Sequence, residues 1–468
     1  MLRHNKNPLK PGRGQLDKRV ETAATDPAET TDLRVHYALI GAGPMGLAMA
    51  KTLIEQGIPF TGFELHSDVG GLWDIDGPKS TMYETAHLIS SKTMTEFADF
   101  PMDSDVAEYP SHRELKGYFQ KFARHFGIYE HFRFNTEVLS AVPLGKPGEG
   151  WRVTWREADG QERQADFAGV LIANGTLSEP NMPEFKGNFA GELMHSSGYR
   201  NPQVFAGKRV LIIGAGNSGC DIAVDAIHHG KACDISLRRG YYFVPKYIFG
   251  KPADTVGGAI KLPMWLKRRI DRVILKWFTG DPAKYGFPKP DYALYESHPV
   301  VNSLILFHAG HGDITVRPDI DRFDGNTVHF KNGDQADYDL ILAATGYKLH
   351  YPFIDKALLN WQGDAPHLFL NCLHPERDDL FVLGMVEASG LGWQGRHEQA
   401  DMVARYIAGL KKGIMAAKAL REEKGAGFKR ATGGMTYIDL PRMAYYVDKA
   451  TYRNAVTHWI AALKGGSN

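Results

Sequence analysis

Two short glycine-rich turns constrain this chain more than any other feature. The first lies in YALIGAGPMG, where Gly41, Gly43 and Gly46 have the G-x-G-x-x-G spacing. The second lies in RVLIIGAGNSG, where Gly214, Gly216 and Gly219 repeat it, with Asn217 and Ser218 between the second and third glycines. Each follows an apolar run suited to a strand buried on both faces, and each precedes a helical pattern. In such a turn the first glycine permits the sharp bend and the second lets the backbone approach a pyrophosphate. The third lets helix and strand pack closely, and the phosphate faces the amides of the helix N-terminus. One match alone is weak, but two in succession predict an α/β chain with two dinucleotide-binding (Rossmann-like) units, and hence two nucleotides.

Other signals follow in chain order. Residues 1–33 read as a flexible polar tail, and a strand begins at Val35. The first helix runs to Gln56 and stops at Gly57. A strand over Phe60–Leu65 contains Glu64, 23 residues beyond Gly41, where an acid accepts hydrogen bonds from an adenosine ribose. The plainer alternative is an exposed acid at a strand end. Gly70 and Gly71, then Leu72 and Trp73, suit a loop pressed against a flat ligand. Ser111 to Glu114 is a capping box that opens an amphipathic helix with Leu115, Tyr118, Phe119 and Phe122 on one face. Strands are expected over 132–138, 151–155 and 167–173, and the linker-like segment holding Pro180 and Pro183 marks a crossing near residue 180. Beyond the second turn the strand Asp234–Leu237 ends in Arg238 and Arg239 where an NAD site would carry an acid. Guanidinium groups there suit the 2′-phosphate of NADPH, the bland reading being two solvated arginines. Residues 262–278, LPMWLKRRIDRVILKWF, form a basic amphipathic helix. It either lies on an anionic membrane surface or packs its apolar face on protein, and packing is the favoured reading.

Composition narrows the function classes. The chain has 468 residues, 43% of them hydrophobic, enough for two or three domains with substantial cores. Its 55 basic and 54 acidic residues leave a net charge of +1, which gives no reason to expect nucleic acid. Cys220, Cys233 and Cys372 show no C-x-x-C spacing, so no disulfide framework, zinc site or dithiol pair is expected. No apolar window is long enough to span a membrane and no signal peptide is evident, so a cytoplasmic monomer or homodimer is expected.

Motifs spread along the chain resemble those of the flavin-containing monooxygenases. They are the first turn, the FELHSDVGGLWDI and MYETAHLISSKTMTEFADFPM stretches, the second turn, the pattern Phe189, Gly191, His195, Tyr199 that fits F-x-G-x-x-x-H-x-x-x-Y, and Ala344 to Tyr347. The resemblance implies FAD at the first turn and NADPH at the second, with the NADPH unit (181–338) inserted into a split FAD unit (34–180 and 339–468). It adds Gly71, Leu72, Trp73, Ser91 and Val138 to the flavin contacts. Thr345, Gly346 and Tyr347 form the element by which the chain re-enters the FAD unit. Gln399 is placed at the flavin ring, on a helix that starts near Arg396 after the turn Gly390, Gly392, Gly395. From the residues alone, His195 and Tyr199 read as packing or hinge groups more readily than as catalysts. Ile89 stands where most members of the family have an asparagine close to the reacting centre, flanked by His87 and Ser90 as alternative donors. The implied activity is oxygenation of a nitrogen or sulfur centre of a small, mainly apolar substrate by O2, through a flavin C4a-hydroperoxide. Baeyer–Villiger oxidation of ketones and an uncoupled NADPH oxidase or reductase stand as alternatives. The protein supplies position and exclusion of water, and the cofactor carries the chemistry.

Overall fold

The computed structural model describes residues 30–256 and 263–465. The tail expected over 1–33 lies outside these residues as far as position 29, and its last part is already sheet, because the first strand is Thr31–Ile40. That strand pairs in parallel with Phe60–Phe63 on one side and Glu162–Ile172 on the other. Trp151–Arg156 and Glu137–Pro143 extend the sheet antiparallel, and Leu380–Val382 joins it alongside Glu162–Ile172. The expected strand over 132–138 is in fact two, Phe132–Arg133 and Glu137–Pro143, with Asn135 between them in a left-handed conformation at φ 51°.

A second sheet is wholly parallel, in the order Ile314–Arg317, Ala232–Ser236, Arg209–Ile213, Leu340–Ala343, Glu192–His195. Val210, Leu211 and Ile212 at its centre are fully buried, which explains the uninterrupted apolar run that precedes the second turn. Leu340–Ala343 is a correction to the expected boundary: it was assigned to the returning FAD segment, yet it lies between Arg209–Ile213 and Glu192–His195 in this second sheet. Only after it does the chain cross back. The two passes between the sheets run as an antiparallel ribbon, Glu179–Pro180 against Tyr347–Lys348.

Helix Pro44–Glu55 carries the first turn, and Asn217–His229 carries the second. Gly392–Lys412 packs against the first of these and against Lys449–Gly465. It begins four residues before the expected Arg396. The capping box at Ser111 forms as read, with Ser111 N–H donating to Glu114 Oε2 at 2.8 Å, and Leu115, Tyr118, Phe119 and Phe122 are buried. The basic helix is Met264–Thr279, and none of its sixteen residues is buried. The favoured reading packs it on this chain or on a second subunit; on this chain Leu266, Lys267, Arg268, Asp271, Leu275 and Thr279 are half-buried and the rest of the helix is exposed.

Candidate active site

The two turns are built alike. Gly41 has φ +104°, and a Cβ on it would meet the carbonyl oxygen of Ala173 at 2.6 Å; Gly214 has φ +98°, and its Cβ would meet that of Ala344 at 2.6 Å. Both positions are reserved for glycine by backbone strain and by the end of the neighbouring strand. The third glycines pack their helices onto the first: a Cβ at Gly46 would lie 1.8 Å from Gly41 O, and one at Gly219 would lie 2.1 Å from Gly214 O. The middle glycines differ in kind. A Cβ at Gly43 would stand 3.6 Å from Gly71 Cα, and one at Gly216 would meet nothing within 4 Å. A side chain at either position would therefore meet no forbidding contact from the protein.

Both turns open into one continuous cavity of about 1880 Å³. A single drug-sized ligand occupies roughly 300–1,000 Å³, so this volume accommodates two nucleotides and a small substrate. At its first end lie Gly41, Gly43, Glu64, Val138 and the Gly71–Trp73 turn. Glu64 accepts from Ala42 N–H at 2.6 Å and from His66 N–H at 2.8 Å, and burial raises its carboxyl against the pull of those donors. It thus braces the glycine turn, and a carboxylate keeps lone pairs for ribose hydroxyls besides. Below the Gly71–Trp73 turn Asp74 is held by His66 at 2.9 Å and Lys116 at 2.8 Å.

At the other end lie Gly214, Gly216, Asn217, Ser218 and Gly219, with Arg238 and Arg239 just past the strand Ala232–Ser236. Among the described residues neither arginine has an ion-pair or hydrogen-bonding partner, although other surface arginines such as Arg152 and Arg156 do. Two unpaired guanidiniums facing a cavity fit a phosphate. Asn217 accepts from Val301 N–H at 2.7 Å, which brings the 297–302 segment onto the same turn.

Between the ends the wall includes His87, Ile89, Ser90 and Met94. His87 is exposed and its Nδ1 is engaged by Thr85 O at 2.8 Å, while Ser90 Oγ is 2.7 Å from Thr95 Oγ1. Ile89 has no such partner and presents only hydrocarbon. Thr345, Gly346 and Tyr347 also line the cavity, and Thr345 Oγ1 donates to Asn181 O at 2.7 Å across the crossing ribbon.

Three expected site residues lie off the cavity. Gly46 is consumed by helix packing. Ser91 is fully buried and donates its N–H to Asp254 at 2.7 Å. Gln399, expected at the flavin ring, is fully buried in the core, where it accepts from Gly384 N–H at 2.8 Å and donates to Tyr452 OH at 2.7 Å. It supports the wall at Gly384 rather than forming it.

The fingerprint residues resolve as structural. A Cβ at Gly191 would meet Asp339 O at 2.7 Å. His195 Nδ1 accepts from Ser197 N–H at 3.1 Å, which leaves the proton on Nε2 to donate to Gly346 O at 3.1 Å, and burial lowers its pKa. It pins the Thr345–Tyr347 element to the strand Glu192–His195.

Sequence reasoning missed a polar cluster on the cavity wall: His298, Glu387, Arg396 and Arg442. Burial pushes the Glu387 carboxyl up, but Arg442 at 3.2 Å and Arg396 at 4.0 Å outweigh it and hold it below the usual range. Burial, with Arg442 beside it, pushes His298 down to about 4, and its Nδ1 lies 3.1 Å from Tyr446 OH.

Fold and site together define a chain with two dinucleotide-type glycine turns opening on one cavity. Comparison with known proteins gives the particular kind. The flavin-binding monooxygenase-like family model matches residues 34–446. The chain belongs to that family. Flavin-containing monooxygenase 3 of Oryctolagus cuniculus is 30% identical over 392 residues, 80% of this chain and 73% of the relative. S-allyl-L-cysteine S-oxygenase from Allium sativum superposes with TM-score 0.63 at 20% identity, over 91% of this chain and 88% of the other. Steroid monooxygenase bound to NADP gives 0.68 at 20% identity, over 93% and 98%. At that identity these two structures speak for the fold alone. The chain is a monooxygenase of the FAD- and NADPH-dependent kind, and the two ends of the cavity fit those two nucleotides.

Proposed function

We propose that this chain oxygenates a nitrogen or sulfur centre of a small, mainly apolar substrate, with FAD at the turn of Gly41 and NADPH at the turn of Gly214. The observation that carries this reading is the single cavity that reaches both turns and has Ile89 on its wall between them. Gly43, Glu64 and the Gly71–Trp73 turn hold FAD; Gly216 to Gly219 hold the NADPH pyrophosphate, and Arg238 and Arg239 its 2′-phosphate. FAD, when bound and reduced, supplies the oxygen-activating chemistry. The chain's own task is to position the nucleotides and to keep water from the reacting centre, which the side chain of Ile89 does by occupying space without offering a hydrogen bond. On this reading the NADPH unit is the part between the two passes of the crossing ribbon.

Oxygen insertion beside a ketone is the second reading, favoured by the Arg442 guanidinium on the cavity wall, a donor able to bond a carbonyl oxygen. NADPH and oxygen consumption with a panel of amines, sulfides and ketones, with hydrogen peroxide assayed in parallel, tests both. Stoichiometric N- or S-oxide is the expected product. Ester formation from ketones alone would establish the second reading, and peroxide matching NADPH with every substrate would leave an oxidase.

A further inference from the structure

The basic helix Met264–Thr279 sits at the cavity's edge, with Ile270, Ile274 and Leu275 on the lining. Helical spacing puts Leu266, Ile270, Val273, Ile274 and Trp277 on one face. Ile270 and Ile274 edge that face at the cavity mouth, and its outer part is turned to solvent, with Val273 53% and Trp277 86% exposed; Trp265, beside the face, is 69% exposed. Phe249, 77% exposed at a neighbouring hairpin tip, adds to the patch by packing its ring 5.0 Å from that of Phe278. A contiguous apolar patch of this kind marks an interaction site.

The charges say what it meets. The helix's one acid, Asp271, is occupied by Lys267, and Arg268 is paired with Glu296 at 3.3 Å. Arg269, Arg272 and Lys276 are exposed and have no acidic partner among the described residues. They border the apolar face and lie on the side away from the cavity lining. Three free cations, two exposed tryptophans and an apolar face on one helix are the chemistry of a helix that lies in the headgroup region of an anionic bilayer. No described helix is long and apolar enough to cross a membrane, so the contact is with its surface.

We propose that Met264–Thr279, together with Phe249, docks this protein on an anionic lipid surface. The docked helix places the cavity edge at the lipid boundary, where apolar molecules concentrate; that consequence rests on the substrate class proposed above, whereas docking itself does not.

The test uses the full-length protein and vesicles of phosphatidylglycerol with phosphatidylcholine, against vesicles of phosphatidylcholine alone. Flotation with the anionic vesicles only is expected, with a blue shift in the part of the emission lost in Trp277→Phe. The triple variant Arg269→Gln/Arg272→Gln/Lys276→Gln is expected to partition about a hundredfold more weakly, at about 1 kcal/mol per cation near the surface. Val273→Ser/Trp277→Ser is expected to lose the blue shift. Absence of flotation would overturn the proposal. So would a wild-type dimer that Val273→Ser/Trp277→Ser converts to monomer without any lipid binding, since a second copy would then be the occupant. A Trp277 emission already shielded in a lipid-free monomer would overturn it too, by showing that the chain covers its own helix. NADPH oxidation with a soluble substrate, measured without lipid, reports separately on the oxygenation reading.

Discussion

The hydroxyls of Thr85 and Tyr199 donate to the same atom, Asp225 Oδ2, at 2.6 and 2.8 Å. Thr85 lies four residues before Ile89, Tyr199 ends the fingerprint, and Asp225 lies on the helix of the second turn. One carboxylate therefore fastens the wall between the nucleotides to the NADPH side of the molecule. Tyr199→Phe keeps the buried ring against Phe205 and Tyr83 but removes one donor. Loss of about 1–2 kcal/mol in urea unfolding is expected, with FAD retained. A larger fraction of NADPH should also end as hydrogen peroxide, and an unchanged fraction would mean that the tether does not serve the wall.

Coenzyme choice follows from the two unpaired guanidiniums. Arg238→Ala should weaken NADPH by about 10- to 150-fold, the equivalent of roughly 1.5–3 kcal/mol for a charge-assisted bond, and leave NADH almost unchanged. Equal Michaelis constants for wild type and variant would remove the phosphate assignment.

The glycines of the second turn separate folding from binding. Gly216→Ala adds a methyl that meets no protein atom within 4 Å, so the variant should fold, carry FAD and lose NADPH affinity. Gly214→Ala forces a residue with a side chain to φ +98° and against Ala344 O, so it should also lower the melting temperature. A colourless Gly216→Ala would show that this turn holds the flavin.

Acid sensitivity has a local source in His374. Burial, then Lys424 and Arg377, pushes its pKa down to about 4, and its Nδ1 accepts the N–H groups of Glu376 and Arg377, each at 3.1 Å. The folded state keeps the ring neutral while the unfolded state takes up a proton near pH 6.5, so stability is full above 6.5 and is lost as pH falls towards 4. At 1.36 kcal/mol per unit the loss approaches about 3 kcal/mol. His374→Asn, which keeps an acceptor and cannot titrate, should flatten that part of the stability curve in urea titrations. Parallel curves for the two proteins would exclude the group.

Ile89 is expected to act by exclusion, so Ile89→Asn should not reduce peroxide release even though it introduces an amide donor. Hydrogen peroxide formed per NADPH, with a good substrate present, is the measure. A clear fall in the variant would mean that the missing amide, not water entry, limits coupling in the wild type.

The parts legible in sequence are those fixed by local backbone geometry. Glycine spacing, the Ser111 cap and the arginines at a strand end need only a few consecutive residues to declare themselves. Gln399 was misplaced because a helix can set it beside the cavity or one layer behind, and only the packing of Tyr452 and Gly384 decides between them. The amphipathic pattern of 262–278 was plain, but periodicity announces an apolar face without saying what covers it. The cluster of His298, Glu387, Arg396 and Arg442 left no trace at all, since its members meet only through the tertiary path of the chain. Leu340–Ala343 shows the same limit for topology: an apolar strand looks alike in either sheet.

The matched carbonyls at Ala173 and Ala344 subject both turns to one steric rule. Each glycine turn is closed by an Ala-x-Gly tripeptide that directly follows a strand, Ala173 to Gly175 after Glu162–Ile172 and Ala344 to Gly346 after Leu340–Ala343. Two halves that repeat a turn, its clearance and its closing tripeptide set the same steric demand on any side chain placed there. A substitution made in one half therefore has a natural counterpart in the other, so the molecule carries its own internal control.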